Sequence, residues 1–308
     1  MNDGTATVRD CVAVLESVYP PSWAATWDAV GLVVGNPDTP VESVLFAVDP
    51  TSEVAAEAAR SANLLITHHP LFLRGVHTVA ETTPGGRVVA TLVRAGVALF
   101  TAHTNADVAA PGVSDALAAA LGLRDVRPLE AQHAAAVEAE AAEVAAGAVG
   151  AVGAVDEHDA GGEPDPAVCR GLGRIGELAA PESLGEFCAR IARALPATAG
   201  GVRATGPADT PVRRVAVCGG SGGEMVGAAR AAGADVLVTA DGRHHHVLDA
   251  VSAHPVVLVD VAHWASEWPW LEQAAARLTA GLAARGRTVR TTVSTLVTDP
   301  WRLHVSSR

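Results

Sequence analysis

Not one lysine occurs in this chain of 308 residues; its 22 basic side chains are all arginine. That is read as a mark of a GC-rich genome rather than of function. Aromatic side chains are also scarce, with 6 Trp, 4 Phe and 1 Tyr. Since 49% of the chain is still hydrophobic, a sizeable core must be built largely from small and branched residues. The cysteines number only 4 (Cys11, Cys169, Cys188 and Cys218), and none forms a C-x-x-C pair. Neither a zinc ribbon nor a dithiol redox motif is therefore indicated, and reduced thiols are expected. No run of about 18 uncharged apolar residues exists, so no membrane span is expected. The opening Met-Asn-Asp-Gly-Thr lacks the basic-then-apolar pattern of a signal peptide. These absences lead to the expectation of a soluble cytoplasmic protein.

Positive charge is in deficit overall, with a net charge of −12. That balance argues against a nucleic acid or an anionic membrane as partner. The excess is local. Residues 131–168 hold Glu138, Glu140, Glu143, Asp156, Glu157, Asp159, Glu163 and Asp165 and no arginine, which is −8 of the −12. The same stretch is rich in Ala and Gly and reads in its second half as flexible linker.

What is present is an alternation of strand-like and helix-like segments. Thr7 to Val18 has the apolar spacing of an amphipathic helix, stopped by Pro20-Pro21. Ser43 to Val48, Asn63 to Thr67 and Val97 to Thr101 read as strands. Helices are expected from Thr51 or Ser52 to about Ser61 and from Gly86 to Ala95. Strand-helix-strand at this spacing is the signature of a parallel sheet with crossover helices. After a helix from Ser114 to Leu121 comes the acidic stretch. The second half repeats the grammar, with helices over Pro181–Leu195, Glu224–Ala232, His246–Ser252 and Trp270–Arg285. Its strands are expected over Arg214–Cys218, Asp235–Thr239, Pro255–Val261 and Val289–Val293. The expected fold is therefore α/β, with an N-terminal lobe over 1–130, an acidic linker over 131–168 and a C-terminal lobe over 169–308.

Ligands of open α/β sheets gather at the carboxyl ends of strands, and histidines stand there. His68 and His69 end the Asn63–Thr67 strand, with Pro70 holding His69 extended. Neighbours on a strand face opposite sides. The pair thus serves two partners, or a bend swings both to one side. Taken alone, the pair reads as capped or partly exposed histidines. Two further patterns change that. His103 and Asp107 are four apart after a strand, and so are His263 and Glu267. Helical geometry would put each pair on one face. Imidazole with carboxylate suits Zn, Fe, Mn, Co or Ni rather than calcium. Four histidines and two carboxylates exceed the needs of one tetrahedral site and suit two divalent ions bridged by a carboxylate. A further cluster, Asp241-Gly242-Arg243-His244-His245-His246, reads either as a helix start capped by Asp241 or as a source of a proton-donating histidine. Gly219 to Gly223 fails the dinucleotide pattern, since Met225 stands where glycine is needed, and no G-K-S/T follows. It reads as a tight strand-to-helix turn.

At these residues the chain resembles the Nif-three-like dinuclear-metal proteins, often labelled GTP cyclohydrolase 1 type 2 homologues. The resemblance rests on Trp27-Asp28-Ala29-Val30-Gly31-Leu32, Thr67-His68-His69-Pro70-Leu71 and His103-Thr104-Asn105-Ala106-Asp107. It continues in Ala216 to Gly222, Thr239 to His245 and Asp260 to Glu267, in the family's order. Ala29, Ala240, Ala262 and Trp264 depart from the usual residues, and none removes a ligand. The resemblance implies metal ligands at His68, His69, Asp107, His263 and Glu267, with His103 beside the metals and His245 as a non-ligand active-site histidine. It also implies two similar α/β lobes with the metal site in the cleft between them, and a hexameric ring. The expected function is a metal-dependent hydrolase acting on a nucleotide or related small molecule, with His103 and His245 moving protons. The rival expectation is a non-enzymatic metal-binding protein or ring-shaped regulatory scaffold.

Overall fold

The structure, a computed structural model, describes residues 4–132, 170–253 and 256–306. Of the expected acidic linker, Ala131 and Gln132 close a strand, and positions 133–168 lie outside the described residues.

In chain order the first half runs β1 (Ala6–Thr7), α1 (Val8–Val18), β2 (Gly31–Val34), β3 (Pro40–Val41), β4 (Ser43–Ala47), α2 (Ser52–Ser61), β5 (Leu64–Thr67), α3 (Pro84–Ala95), β6 (Ala98–Thr101), α4 (Thr104–Val108), α5 (Val113–Ala120) and β7 (Arg124–Gln132). The second half runs β8 (Arg170–Ser183), α6 (Leu184–Ala194), β9 (Arg203–Ala204), β10 (Pro211–Val217), α7 (Val226–Ala231), β11 (Val236–Ala240), α8 (His244–Ala253), β12 (Val257–Val261), α9 (His263–Ala283) and β13 (Arg290–Val293).

Local chemistry sets the helix starts. Thr7 caps α1, and Asp10 returns a bond to the cap backbone. Thr51 caps α2. Thr83 caps α3 ahead of Pro84, and Gly96 closes it in the left-handed region that suits glycine.

Two sheets result. The first has the order β13-β4-β5-β6-β2, parallel from β13 through β6, with β2 antiparallel at the edge. The second has the order β7-β8-β10-β11-β12-β9, with β10, β11 and β12 parallel at its centre. Strands β5, β6 and β11 are buried along their whole length, as near-continuous apolar runs in covered parallel sheets should be. One core cluster joins the facing sides of both sheets through α1, α5, α6 and α9. Smaller clusters cover the outer faces, under α2 and α3 on the first sheet and α7 on the second.

Four features differ from the sequence expectation. The halves exchange strands: β7, from before the linker, pairs with β8 in the second sheet, and β13 from the chain's end pairs with β4 in the first. Neither β7 nor β8 was expected. Arg124, Asp125, Arg127 and Pro128 in β7 and the glycines of β8 blur any alternation. The helix expected from Pro181 starts at Leu184, because Pro181 still lies within β8 and Ser183 is the helix cap. The helix expected from Trp270 starts at His263 and carries Pro269 inside it. Proline there forfeits one backbone bond. The buried face made by Trp264, Ala265, Glu267, Trp270 and Leu271 carries the helix through.

Candidate metal centre

The carboxyl ends of both sets of parallel strands meet. His68 and His69 follow β5, His103 follows β6 and precedes α4, and Asp107 lies in α4. From the second sheet, Gly219 and Gly220 follow β10, Asp241 follows β11, and His263 and Glu267 stand on the first turns of α9. Helical geometry does place His263 and Glu267 together, with Nε2 and Oε1 2.9 Å apart.

The expected histidines and carboxylates gather into one cluster. His68, His69 and His103 form one group of potential donors, and His69, His263 and Glu267 a second, with donor atoms within 4.8 Å of one another in each. Glu267 sits at the hub: Oε1 is 3.5 Å from His68 Nε2, and Oε2 is 3.2 Å from His69 Nε2. Asp107 Oδ1 lies 3.6 Å from His68 Nε2. The backbone bends so that both rings of the His68–His69 pair turn inward, their centroids 5.1 Å apart.

Each imidazole is held from behind. Nδ1 donates to the Ala102 carbonyl in His68 (3.0 Å), to Asp49 in His69 (2.6 Å), to Asp28 in His103 (2.8 Å) and to Asp241 in His263 (2.6 Å). A carbonyl or carboxylate oxygen only accepts, so these contacts put the proton on Nδ1 and leave the Nε2 lone pair facing inward. The Nε2 atoms of His69 and His263 then face each other across 3.3 Å. Two lone pairs at that distance, beside a carboxylate, call for a cation between them. His68 Nε2 and Glu267 Oε2 are buried and have no hydrogen-bond partner among the described residues. His68 is 1% and Glu267 3% exposed, and a buried polar atom without a partner is costly. The donor set thus fits a metal ion: imidazole nitrogens and carboxylate oxygens, inward-facing and otherwise unsatisfied.

Without a metal, protons fill that role. Burial opposes charge on His69, but Glu267 and Asp49 outweigh it and raise its pKa well above the ordinary value. Burial likewise opposes charge on His263, and Glu267 and Asp241 raise its pKa to about 9. Burial alone would raise the Glu267 pKa, yet His69 and His68 hold it well below the usual carboxylate range. Asp107 is pushed up by burial. Cys218 lines the same cavity, but burial, then Asp107 and Glu224, keep it a thiol, which suits a site without thiolate ligands.

Glycine 220 makes room for the hub. Its φ of +67° favours glycine, and a Cβ there would meet Glu267 Oε1 and approach His263 Nε2 to 3.1 Å. Its amide donates to Ser266 Oγ (2.9 Å), which donates to the His263 carbonyl (2.7 Å), tying the turn to α9.

Two sequence readings need amendment. Asp241 accepts from His263, and α8 does not begin until His244. His245 is exposed on α8, its ring beside that of His244 at 5.2 Å, and is not among the residues lining the cavity of the cluster. Asp49 was missed, although a carboxylate directly after an expected strand was a usable signal. The turn Gly219-Gly220-Ser221-Gly222-Gly223 also spells the G-x-S-x-G of a nucleophile elbow. Ser221 has no histidine hydrogen-bonded to it among the described residues, so that constellation is incomplete.

The cavity measures about 870 Å³ and runs from the cluster past Trp27 and Ser114 to Trp23 and Arg170.

Known proteins share this architecture. The family model described as Duf34/NIF3 (NGG1p interacting factor 3) matches residues 6–300. A Streptomyces coelicolor protein named GTP cyclohydrolase 1 type 2 homolog is 47% identical over 301 residues, covering 97% of this chain and 95% of the relative. A Mycobacterium tuberculosis protein of the same name is 41% identical, covering 96% and 97%. The crystal structure of a Bacillus cereus protein related to NIF3 superposes with a TM-score of 0.79 at 28% identity, covering 97% of this chain and 99% of that one. With its fold and nearly its whole length matched, the chain belongs to the Duf34/NIF3 (NGG1p interacting factor 3) family.

Proposed function

We propose that this protein holds two divalent transition-metal ions and works as a metal-dependent hydrolase on a nucleotide or related small molecule. The observation that carries the reading is the convergence of three imidazoles, those of His68, His69 and His263, each anchored through Nδ1, on the buried Glu267, with His103 grouped beside His68 and His69. His68, His69, Asp107, His263 and Glu267 would hold the ions, with Glu267 between the two donor groups. Five donors exceed what a single tetrahedral ion needs. When bound, such ions lower the pKa of a coordinated water toward neutrality and polarise the substrate.

The chain's own residues do the rest. Asp28 fixes the ring of His103, leaving its Nε2 to accept or donate a proton at the cavity wall. Trp27 stands edge-on to His103, with centroids 6.1 Å apart, and gives the cavity an apolar flank. His245 belongs to the proposal as a second proton carrier, although its exposed position asks for a movement of α8 or a neighbouring copy to bring it in. A hexameric ring is part of the same proposal, tested by mass measurement in solution. The name of the relatives suggests GTP as the first substrate to try.

The test is elemental analysis of untagged protein, paired with Glu267→Gln. About two equivalents of a transition metal and turnover of GTP or a phosphoester are expected, with turnover lost in a folded, assembled variant. Absence of metal after incubation with Zn, Mn, Fe and Co would sink the reading. Metal without turnover on any substrate would favour the metal-binding scaffold.

A further inference from the structure

Away from the metal cluster, the cavity is bordered by an arginine that has no counter-ion among the described residues. Arg170 opens β8, where its backbone pairs with Gln132. The residue is 9% exposed. Its guanidinium lies over the Trp23 ring, 4.6 Å from the centroid, and lines the same cavity as His69, His103 and Glu267. Among the described residues no carboxylate and no carbonyl accepts from it.

Other arginines of the second sheet and its helices behave differently. Arg174, four residues on in the same strand, is 1% exposed and spends its donors on Asp115 and on the carbonyls of Gly171, Gly173 and Ala109. Arg190, Arg203 and Arg214 each reach a carboxylate. A guanidinium withdrawn from water is retained where it is paired. Arg170 is held on an aromatic face instead, which favours the cation while leaving its N–H donors for another partner.

We propose that Arg170 is the anion receptor of this cavity. The compound that enters carries a phosphate or carboxylate group, bound by the Arg170 guanidinium in charge-assisted, bidentate fashion. Its body lies along the Trp23 and Trp27 side of the cavity, and its reacting part faces the metal cluster. Arg170 thereby selects organic anions over neutral compounds of the same shape. The inference deepens the reading of the cavity as a substrate site and rests on it.

The probes are phenyl phosphate and benzoate, with benzyl alcohol as the neutral counterpart, each titrated against tryptophan fluorescence of the full-length protein. The titrations use wild type, Arg170→Met, Arg170→Lys and the metal-ligand variant His68→Ala/Glu267→Ala, with metal content measured on each. Saturable binding of at least one anion is expected, weakened about ten- to a hundredfold in Arg170→Met, partly restored in Arg170→Lys, and with metal content unchanged. A preference for phenyl phosphate over benzoate, or the reverse, identifies the anionic group. The proposal is overturned if neither anion saturates, if benzyl alcohol binds as tightly, or if Arg170→Met binds like wild type. Arg170-dependent binding that persists in a protein binding no metal would defeat the hydrolase reading and keep this one. Binding lost only in His68→Ala/Glu267→Ala would do the opposite.

Discussion

At the scale of single residues, the centre is governed by which nitrogen of each histidine carries the proton. Asp49, Asp28 and Asp241 settle this for three of the four. Residues behind a ligand typically matter about 10–100-fold in metal affinity. Asp49→Asn is expected to weaken metal binding by about that factor without unfolding the chain, read by competition with a chromophoric chelator. An unchanged affinity would mean that the His69 ring is oriented by packing alone. Protonation supplies a second prediction. His263 has its folded pKa raised to about 9, so its contribution to stability is whole below its unfolded value of about 6.5. That contribution is lost as pH rises through about 9. Glu267 has its folded pKa depressed, so its contribution is present above about 4.3 and lost only under stronger acid. Metal-free protein should therefore melt higher at pH 6 than at pH 10. Metal must displace those protons, so zinc binding at pH 7 should release protons into a weakly buffered solution.

At the scale of elements, the turn after β10 and the start of α9 act as one unit. Gly220 leaves space for Glu267, and Ser266 fastens the two together. Gly220→Ala is expected to remove most of the bound metal, since the new methyl group occupies the carboxylate's place and the φ of +67° adds about 1–2 kcal/mol of strain. Gly223→Ala, where a Cβ meets nothing within 4 Å, should keep full metal content. Elemental analysis of both variants separates the local clash from a general effect of substituting the turn. Ser266→Ala strands the buried Gly220 amide and should cost about 1–3 kcal/mol in urea unfolding. Both effects travel through α9, which explains why this helix tolerates Pro269: its first two turns are bound by the site and its remainder by the core.

At the scale of the molecule, the cluster takes His68, His69 and Asp107 from elements of the first sheet and His263 and Glu267 from the second. A bound ion therefore couples the two sheets. Because α9 leads from β12 back to β13 in the first sheet, the sheets also share one core. Chelation should lower the melting temperature in a single transition. Metal at a thousandfold excess over Kd is worth about 4 kcal/mol. Two separate transitions would mean that the sheets unfold independently. Leu278→Ala, in the buried C-terminal half of α9, should cost about 2–5 kcal/mol and shift the same transition.

Much of this is legible in the chain alone. Short-range order carries helix caps and buried strands, so Thr7, Thr51 and the apolar run before His68 announced α1, α2 and β5. The donor residues were legible because a histidine at a strand end and a carboxylate four residues after another histidine are local patterns, and family resemblance joined them. Strands β7 and β8 were not, since their pairing depends on each other and on the open edge beside β10 rather than on their own alternation. Local pattern along the chain sufficed for the α/β alternation, the acidic excess over 131–168 and the chemical kind of the donors. It took the folded chain to bring Asp49, Asp28 and Asp241 behind the imidazoles, to return β13 to the first sheet and to put Arg170 in the same cavity as Glu267. Those facts are distances between residues remote in the chain, and no local pattern encodes them.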